Sequence, residues 1–565
     1  MLDEDAMPNS RCRISFYGFR AGRIRNIFCI FVPVGCLTLI SFVHYVMKLK
    51  ITPIFIILSA ALDLAAQPVI PSPRRFAARE GSFCIGREIA ICCNDTTAGY
   101  FTLFRDEFAA GAGLHLTCDT INTDVAWITD STIPTEGYEI DITPRRMEIR
   151  ASDAGGFVYA VQTLRQLAVS TSRGIEFRCM SVSDEPRMRW RAFMLDSGRQ
   201  FQSVEVIKKY IDMASMLKMN RFHWHLTEGL GWRIEIKRYP LLALKGAFVG
   251  KSPGQQGYYT QDEIRMLVDY ARRRKIEIVP EIDMPGHAEA AIFSYPGLGC
   301  FGDRIEIPQT GFTPNIFCAG NDSTLVFLKN VLDEVCELFP SEYIHLGGDE
   351  APKDNWEKCP SCRARLEREH LADTHALQLW LSAEMARHLK SKGRKAIFWD
   401  DVVAGEGYRL PDNSVIQWWN YRGHGSRGLR NALSCGLEVI CSPNYYTYLN
   451  FPLTPWRGYG QERTFDLADV YLRNPADSAF NEGNPSVMGM TCALWTDYGV
   501  TEDMIDRRLF PRILALAEQM WHRDDTTPHP EDFYRRIDAA RPFWESEGYE
   551  FGPAFRQDVL PGYTW

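Results

Sequence analysis

The fold class the chain predicts is α/β: a (β/α)8 TIM barrel preceded by a small α+β domain. Two observations predict it. Eight strand candidates alternate with helical segments from Arg191 onward, and each is followed by polar or aromatic residues of the kind that build sites. A doubly wound sheet is the runner-up, but it would not need such residues at the C-terminal end of every strand. The domains are read as 67–185, α+β; 186–525, barrel; and 526–565, a C-terminal extension packing on the barrel.

In the first domain, Tyr138–Ile142 and Met147–Arg150 alternate like two strands of a sheet with one wet face, separated by Thr143-Pro144-Arg145-Arg146. Ala154 to Val169 then carries Phe157, Ala160, Val161, Leu164, Leu167 and Ala168 at helical spacing. No clustered chemistry falls here, so its expected role is structural.

After Ser183-Asp184-Glu185-Pro186 the rhythm becomes strand, then helix, repeated. The strands are expected at 191–196, 221–226, 276–282, 343–346, 395–399, 414–419, 437–441 and 487–494. Helices are expected at 204–217, 262–274, 324–338, 374–391, 425–434 and 503–520, the second opening on the capping-box spacing Thr260…Glu263. In a barrel, all loops after the strands open on one face. That face would gather Arg199, Glu228, Asp283 with His287, Asp349 with Glu350, Trp399, Trp419, Tyr446 with Tyr448, and Trp495 with Asp497.

The fourth strand is the most telling. Tyr343-Ile344-His345-Leu346 ends in Gly347-Gly348-Asp349-Glu350, an apolar run that empties two adjacent carboxylates into a cleft. The glycines leave room for a sharp change of direction, so both acids can turn inward.

The 565 residues, 45% hydrophobic and 24% charged, have an ordinary globular composition. A formal charge of -8 and a pI near 5.9 exclude a nucleic-acid partner, since no basic block outside the N-terminal leader offers a phosphate-binding face. Ile27 to Met47 is long enough to span a bilayer and follows Arg20, Arg23 and Arg25. Met47-Lys48-Leu49-Lys50, an apolar run from Ile51 to Leu62 and small residues ending at Ala65-Ala66 form a secretory signal pattern. The expectation is a start at Met47, with 1–46 an over-long start, 47–66 a signal peptide and an exported mature chain beginning near Gln67. The alternative is a membrane anchor at 27–47, so that any membrane contact runs only through the N-terminal segment. The 16 cysteines are scattered. Cys359-Pro360-Ser361-Cys362 reads as a lone Cys-x-x-Cys, a loop staple or free thiols ahead of zinc or redox chemistry, while Cys300 and Cys318 flank a loop they can close. No feature of the sequence specifies an oligomeric state.

A pocket walled by Trp399, Trp419 and Trp495, with Arg199 and Asp497 as polar contacts, suits a pyranose, whose C–H faces stack and whose hydroxyls need partners. Trp418 leaves the stacking assignment open by one residue. For glycoside cleavage Glu350 is the candidate acid, and an ionised Asp349 beside it would raise its pKa. Immediate neighbours in sequence do not easily flank C1 at the usual carboxylate separations, so Asp349 is expected to orient a nucleophile that the substrate itself carries.

His345-Leu346-Gly347-Gly348-Asp349-Glu350, Met194 to Arg199, His223-Trp224-His225-Leu226-Thr227, Gly231-Trp232-Arg233 and Met284-Pro285-Gly286-His287 together resemble glycoside hydrolase family twenty, the β-N-acetylhexosaminidases, in its bacterial exported form. The resemblance runs from about Arg187 to Trp521. It implies a retaining exo-hydrolase acting on terminal β-linked GlcNAc or GalNAc of an oligosaccharide or glycoconjugate, with no metal and no organic cofactor. It further implies that the 2-acetamido oxygen is the nucleophile and an oxazolinium the intermediate. Glu350 would be acid then base, Asp349 would hold the acetamido N–H, Tyr448 the acetamido oxygen and Arg199 the O3/O4 side. His287 would tune or orient Glu350. The chain makes three departures from the family pattern: Glu228-Gly229 replaces Asp-Asp, Asn450 replaces Asp, and Asp497 replaces Glu. The partner of His287 is therefore open. Two rival readings are a non-catalytic glycan-binding barrel and a metal-dependent barrel hydrolase in which His223 and His225, two apart on a strand, face one metal.

Overall fold

Strand alternation sorts the barrel residues into those facing in and those facing out, and the computed structural model closes the ring accordingly. It describes residues 68–86, 88–92, 115–118, 124–307, 313–404, 409–453, 465–522 and 530–560. Both N-terminal apolar segments and the proposed cleavage point lie outside these, so the leader and anchor readings concern residues not described. Among the described residues no helix is long and apolar enough to cross a membrane.

Eight parallel strands form a closed barrel: Trp190–Asp196, Arg221–His225, Glu277–Glu281, Tyr343–His345, Lys395–Trp399, Ser414–Trp418, Glu438–Cys441 and Val487–Leu494, the last pairing back to the first. Their interior begins with an apolar layer of Trp190, Val279, Tyr343, Ile397, Val415, Ile440 and Met488. Two residues beyond Val279, Tyr343, Val415 and Ile440 the same face carries the polar residues Glu281, His345, Gln417 and Ser442, because side chains repeat with a period of two. Thus His223 and His225, Glu281, His345, Trp399 and Gln417 all point inward. The capping box at Thr260 and Glu263 forms as expected and starts helix Gln261–Arg273. One expectation needs correction. The helix anticipated at 503–520 is two, Glu502–Leu509 and Arg512–Trp521, because Pro511 has no N–H to continue the ladder and disfavours helical backbone at Phe510. Helix Pro530–Ser546 buries Phe533, Ile537, Ala540 and Trp544 in the barrel's outer core.

The first domain is, among the described residues, an eight-stranded mixed sheet. Tyr138–Ile142 pairs antiparallel with Met147–Ala151, and its burial alternates as the sequence predicts. Helix Ala154–Leu167 is capped by the Asp153 side chain, which accepts the Gly156 N–H at 3.0 Å. The helix packs between sheet and barrel, and Tyr159 meets Trp521 edge-on at 5.2 Å.

Two buried ionic knots join the domains. Asp184, the last residue of the sheet, accepts from Lys218 Nζ at 2.8 Å, Tyr138 Oη at 2.6 Å and Trp521 Nε1 at 2.9 Å. Arg191 donates to both oxygens of Glu136 at 3.0 Å and lies 5.1 Å from the Trp521 ring. Removing one member of a fully buried pair strands the other's charge, which costs far more than the pair contributes. Asp184→Ala is therefore expected to destabilise the protein by about 3–5 kcal/mol. Urea unfolding monitored by tryptophan fluorescence checks it, and an unchanged midpoint contradicts it.

Candidate active site

The site starts at the turn that ends the fourth strand. Gly347 (φ 63°), Gly348 (φ 106°) and Glu350 (φ 45°) all occupy left-handed backbone. A Cβ on Gly347 would meet Asp283 Oδ1 at 1.7 Å, and one on Gly348 would meet Val402 Cγ2 at 2.5 Å, so only glycine fits at either place. The turn is hydrogen-bonded on all sides. Gly347 N–H donates to His345 Nδ1 (3.0 Å), Gly348 N–H to Asp283 Oδ1 (3.0 Å), and Gln378 Nε2 to Gly348 O (2.6 Å).

This geometry separates the neighbouring acids in depth and keeps them together laterally. Asp349 is buried, whereas the Glu350 side chain is about one-third exposed at the rim. His287 Nε2 stands 3.7 Å from Asp349 Oδ2 and 3.9 Å from Glu350 Oε2. On its other edge, His287 Nδ1 is 2.7 Å from Glu228 Oε1. Glu228 also pairs with Arg199 Nη2, and Arg199 Nη1 donates to Asp196 Oδ2 at 3.0 Å. The partner of His287 left open by the sequence is thus Glu228.

The charges follow from these contacts. Burial alone would raise the Glu228 carboxyl, but the Arg199 guanidinium and the His287 ring hold it well below the usual carboxylate range. Burial would lower His287, yet Glu228 and Asp349 raise it well above an ordinary imidazole. Burial pushes Asp283 up to about 8. Burial and the Asp283 charge push Asp349 up as well, with His287 opposing them and Glu350 adding to the rise. Among the described residues Asp349 Oδ1 and His287 Nε2 are buried without a hydrogen-bond partner. They are buried polar groups for which the described residues supply no hydrogen-bond partner.

The aromatic residues sort by strand parity. Trp419 continues the inward face of Val415 and Gln417, while Trp418 faces out and donates to Gly425 O at 3.0 Å, so the open choice falls to Trp419. Trp419 is fixed by Nε1–H to Asp401 Oδ2 (2.6 Å) and lies parallel to Tyr448 at 6.2 Å between ring centroids. Trp495 lies 5.9 Å from Tyr448 and 5.0 Å from the Arg199 guanidinium carbon. Trp399 sits deeper than a wall residue. It is fully buried, 5.9 Å from Trp495, and its N–H donates to Glu281 Oε1 at 2.9 Å, so it backs the hollow. Burial, and then the Asp349 charge, push the Tyr448 phenol well up, so it stays a donor. Asp497 Oδ1 accepts from Asn450 Nδ2 at 3.0 Å, and burial raises Asp497 to about 6 against the pull of Arg199. Tyr446 turns away and packs on Tyr421 and Phe465.

His223 and His225 do face one point, as residues two apart on a strand must. That point is Glu281 Oε2, 2.8 Å from His223 Nε2 and from His225 Nδ1. The reading of them as a metal pair gives way to a buried layer around Glu281 beneath the pocket. Burial, aided by the neighbouring His345 charge, drops His223 to about 4. The cysteine reading is corrected too. Cys359 and Cys362 are not a lone pair, because Cys300 and Cys318 come to them from the loop after the third strand. Glu281 and Asp401 escaped the sequence reading. Glu281 is the second of two glutamates in the short strand Glu277–Glu281, and Asp401 stands two residues past the end of the fifth strand, a position that could have flagged it.

The match to known proteins covers both domains. Residues 188–524 fit the model of the glycosyl hydrolase family 20 catalytic domain, and residues 66–185 that of glycosyl hydrolase family 20 domain 2. A beta-hexosaminidase of Porphyromonas gingivalis is 35% identical over 503 residues, covering 84% of this chain and 62% of that protein. A solved beta-N-acetylhexosaminidase from Bacteroides fragilis is 56% identical with a TM-score of 0.84, covering 88% of this chain and 99% of that one. A Vibrio harveyi exo beta-N-acetylglucosaminidase, solved in complex with N-acetylglucosamine, is 27% identical with a TM-score of 0.77, covering 87% and 79%.

Proposed function

We infer the activity from one premise: the chain belongs to glycosyl hydrolase family 20. It is a β-N-acetylhexosaminidase, a retaining exo-glycosidase that removes terminal β-linked N-acetylglucosamine or N-acetylgalactosamine by substrate-assisted catalysis. Glycans ending in N-acetylglucosamine are the substrate class supported by the Vibrio harveyi complex. The names of the relatives, all enzymes, disfavour the non-catalytic glycan-binding reading.

The observation that carries the mechanism is the meeting of Asp349 and Glu350 at His287 Nε2, one acid buried and one at the rim. In our reading the sugar lies over Trp495 and Trp419 with its acetamido group against Asp349 and Tyr448. Glu350 protonates the glycosidic oxygen while the acetamido oxygen attacks C1, which forms the oxazolinium ring and releases the aglycone. Asp349, as an anion, accepts the amide N–H on which positive charge grows, and the neutral Tyr448 hydroxyl donates to the attacking oxygen. Water then adds to C1 as Glu350 takes its proton, restoring the acid and retaining configuration. Arg199 and Asp497 are assigned to the sugar hydroxyls. Glu228 holds Arg199 and His287 in place.

Glu350→Gln keeps the shape and removes the transferable proton. It is expected to lower kcat on a chromogenic aryl β-N-acetylglucosaminide about 10²–10⁴-fold while product affinity stays within a few-fold. Near-wild-type turnover would refute the assignment.

Asp349 works as an anion, its pKa is raised, and its ionised form is therefore lost as pH falls through that raised value. His287 is the group opposing the rise. His287→Gln should thus move the acid limb of the kcat/KM profile to higher pH, and on that limb the rate at a fixed pH should fall about tenfold for every pH unit the limb moves. A limb that stays put or moves down removes His287 from this role.

We also propose that the protein is exported, periplasmic or extracellular, on the basic, apolar and small-residue pattern of 47–66. N-terminal sequencing of the exported protein should begin near Gln67, and residues preceding Met47 in the mature protein would overturn the proposal.

A further inference from the structure

We propose that Cys300, Cys318, Cys359 and Cys362 bind one zinc ion tetrahedrally, clamping the loop after the third barrel strand to the loop after the fourth. The argument is metric. The sulfur separations are 3.6 Å (Cys318–Cys362), 3.8 Å (Cys318–Cys359) and 3.9 Å (Cys300–Cys362), and all four sulfurs lie within 4.8 Å of one another. Four thiolates at a Zn–S distance of about 2.3 Å and tetrahedral angles stand about 3.8 Å apart. Two disulfides would instead divide the cluster into two bonded pairs at about 2.05 Å. Near-equal spacing of three contacts among four sulfurs is the pattern of a shared centre.

The surroundings suit a thiolate cluster. Cys318, Cys359 and Cys362 are buried and Cys300 is partly so. Cys359 caps helix Pro360–Arg368, whose first turn holds Cys362, so the positive end of the helix faces the anionic sulfurs. The Gly320 N–H donates to the Cys318 sulfur, and a Cβ on Gly320 would strike Cys362 N at 2.2 Å, so the two loops touch backbone to backbone there. A closed set of four sulfurs without an open position is a structural zinc site, with no part in the chemistry of sugar cleavage.

What it would hold in place is specific. One residue before Cys318, Phe317 donates its N–H to Pro285 O at 2.9 Å, two residues from His287. Trp356 Nε1 donates to Phe317 O at 3.0 Å, in the segment leading from Glu350 to Cys359. The clamp thus joins the segment carrying His287 to the one carrying Asp349 and Glu350.

The test is metal and thiol counting on the full chain purified without chelator. The expected result is about one zinc per chain by elemental analysis, with the four thiols alkylated only after an organomercurial or denaturation displaces the metal. Cys359→Ser/Cys362→Ser should lose at least nine-tenths of the zinc and melt at lower temperature, while Glu350→Gln keeps it. An intact mass about 4 Da short, from two disulfides, would overturn the proposal. So would four free thiols without metal, iron in place of zinc, or zinc retained by the double variant. If the double variant fails to fold, the zinc content and thiol reactivity of the wild type decide alone.

Discussion

Three hydrogen bonds hold the turn on which the site depends, and the one from Gly348 N–H to Asp283 Oδ1 at 3.0 Å ties it to the segment after the third strand. Together these bonds keep the chain leaving the fourth strand in left-handed backbone at Gly347, Gly348 and Glu350, conformations that cost a non-glycine residue on the order of 1–3 kcal/mol. Because the Asp283 carboxyl lies where a Cβ of Gly347 would be, the contact also explains the glycine at 347, and Val402 explains the one at 348. The outcome is an Asp that goes down and a Glu that stays at the rim, from adjacent positions.

The same turn creates an electrostatic problem that the third and second strands solve. Asp283, Asp349 and Glu350 crowd a space into which His287 brings positive charge. Burial raises the Asp283 carboxyl, so it holds a proton more readily than an ordinary carboxylate and eases the crowding of negative charge. Glu228 then keeps His287 protonated from behind, so that Asp349 can ionise beside it. A chain of alternating sign runs from Arg199 through Glu228 and His287 to Asp349, and each link sets the protonation of the next.

Much of this was legible beforehand, for identifiable reasons. The strands Lys395–Trp399 and Val487–Leu494 begin and end where the sequence predicts, since buried strands are short apolar runs with abrupt polar ends. The split of the helix at Pro511 was written in the residue itself and overridden by the apolar periodicity on either side. Trp399, Trp419 and Trp495 read alike as wall residues, and only the partner of each indole N–H or its depth tells floor from wall. Glu281 and the four-cysteine cluster were illegible, because both exist only where separate strands or loops meet, and Cys300 and Cys318 stand far from any zinc-ribbon spacing to Cys359.

The three departures from the family pattern make sense as exchanges of reach. Where the family has two aspartates after the second strand, this chain has one acid with an extra methylene. That longer arm lets Glu228 touch Arg199 and His287 at once, while a Cβ on the following Gly229 would come within 2.8 Å of Glu289 Oε2. On the opposite side Asp497 is one methylene shorter than the usual glutamate, and the neighbouring aspartate has become Asn450, whose amide donates to it. Two carboxylates drawn together by shortening one would repel each other in a buried site. Turning one into an amide converts the repulsion into a hydrogen bond, so the changes at 450 and 497 are a single coupled solution and neither is expected to be tolerated well alone.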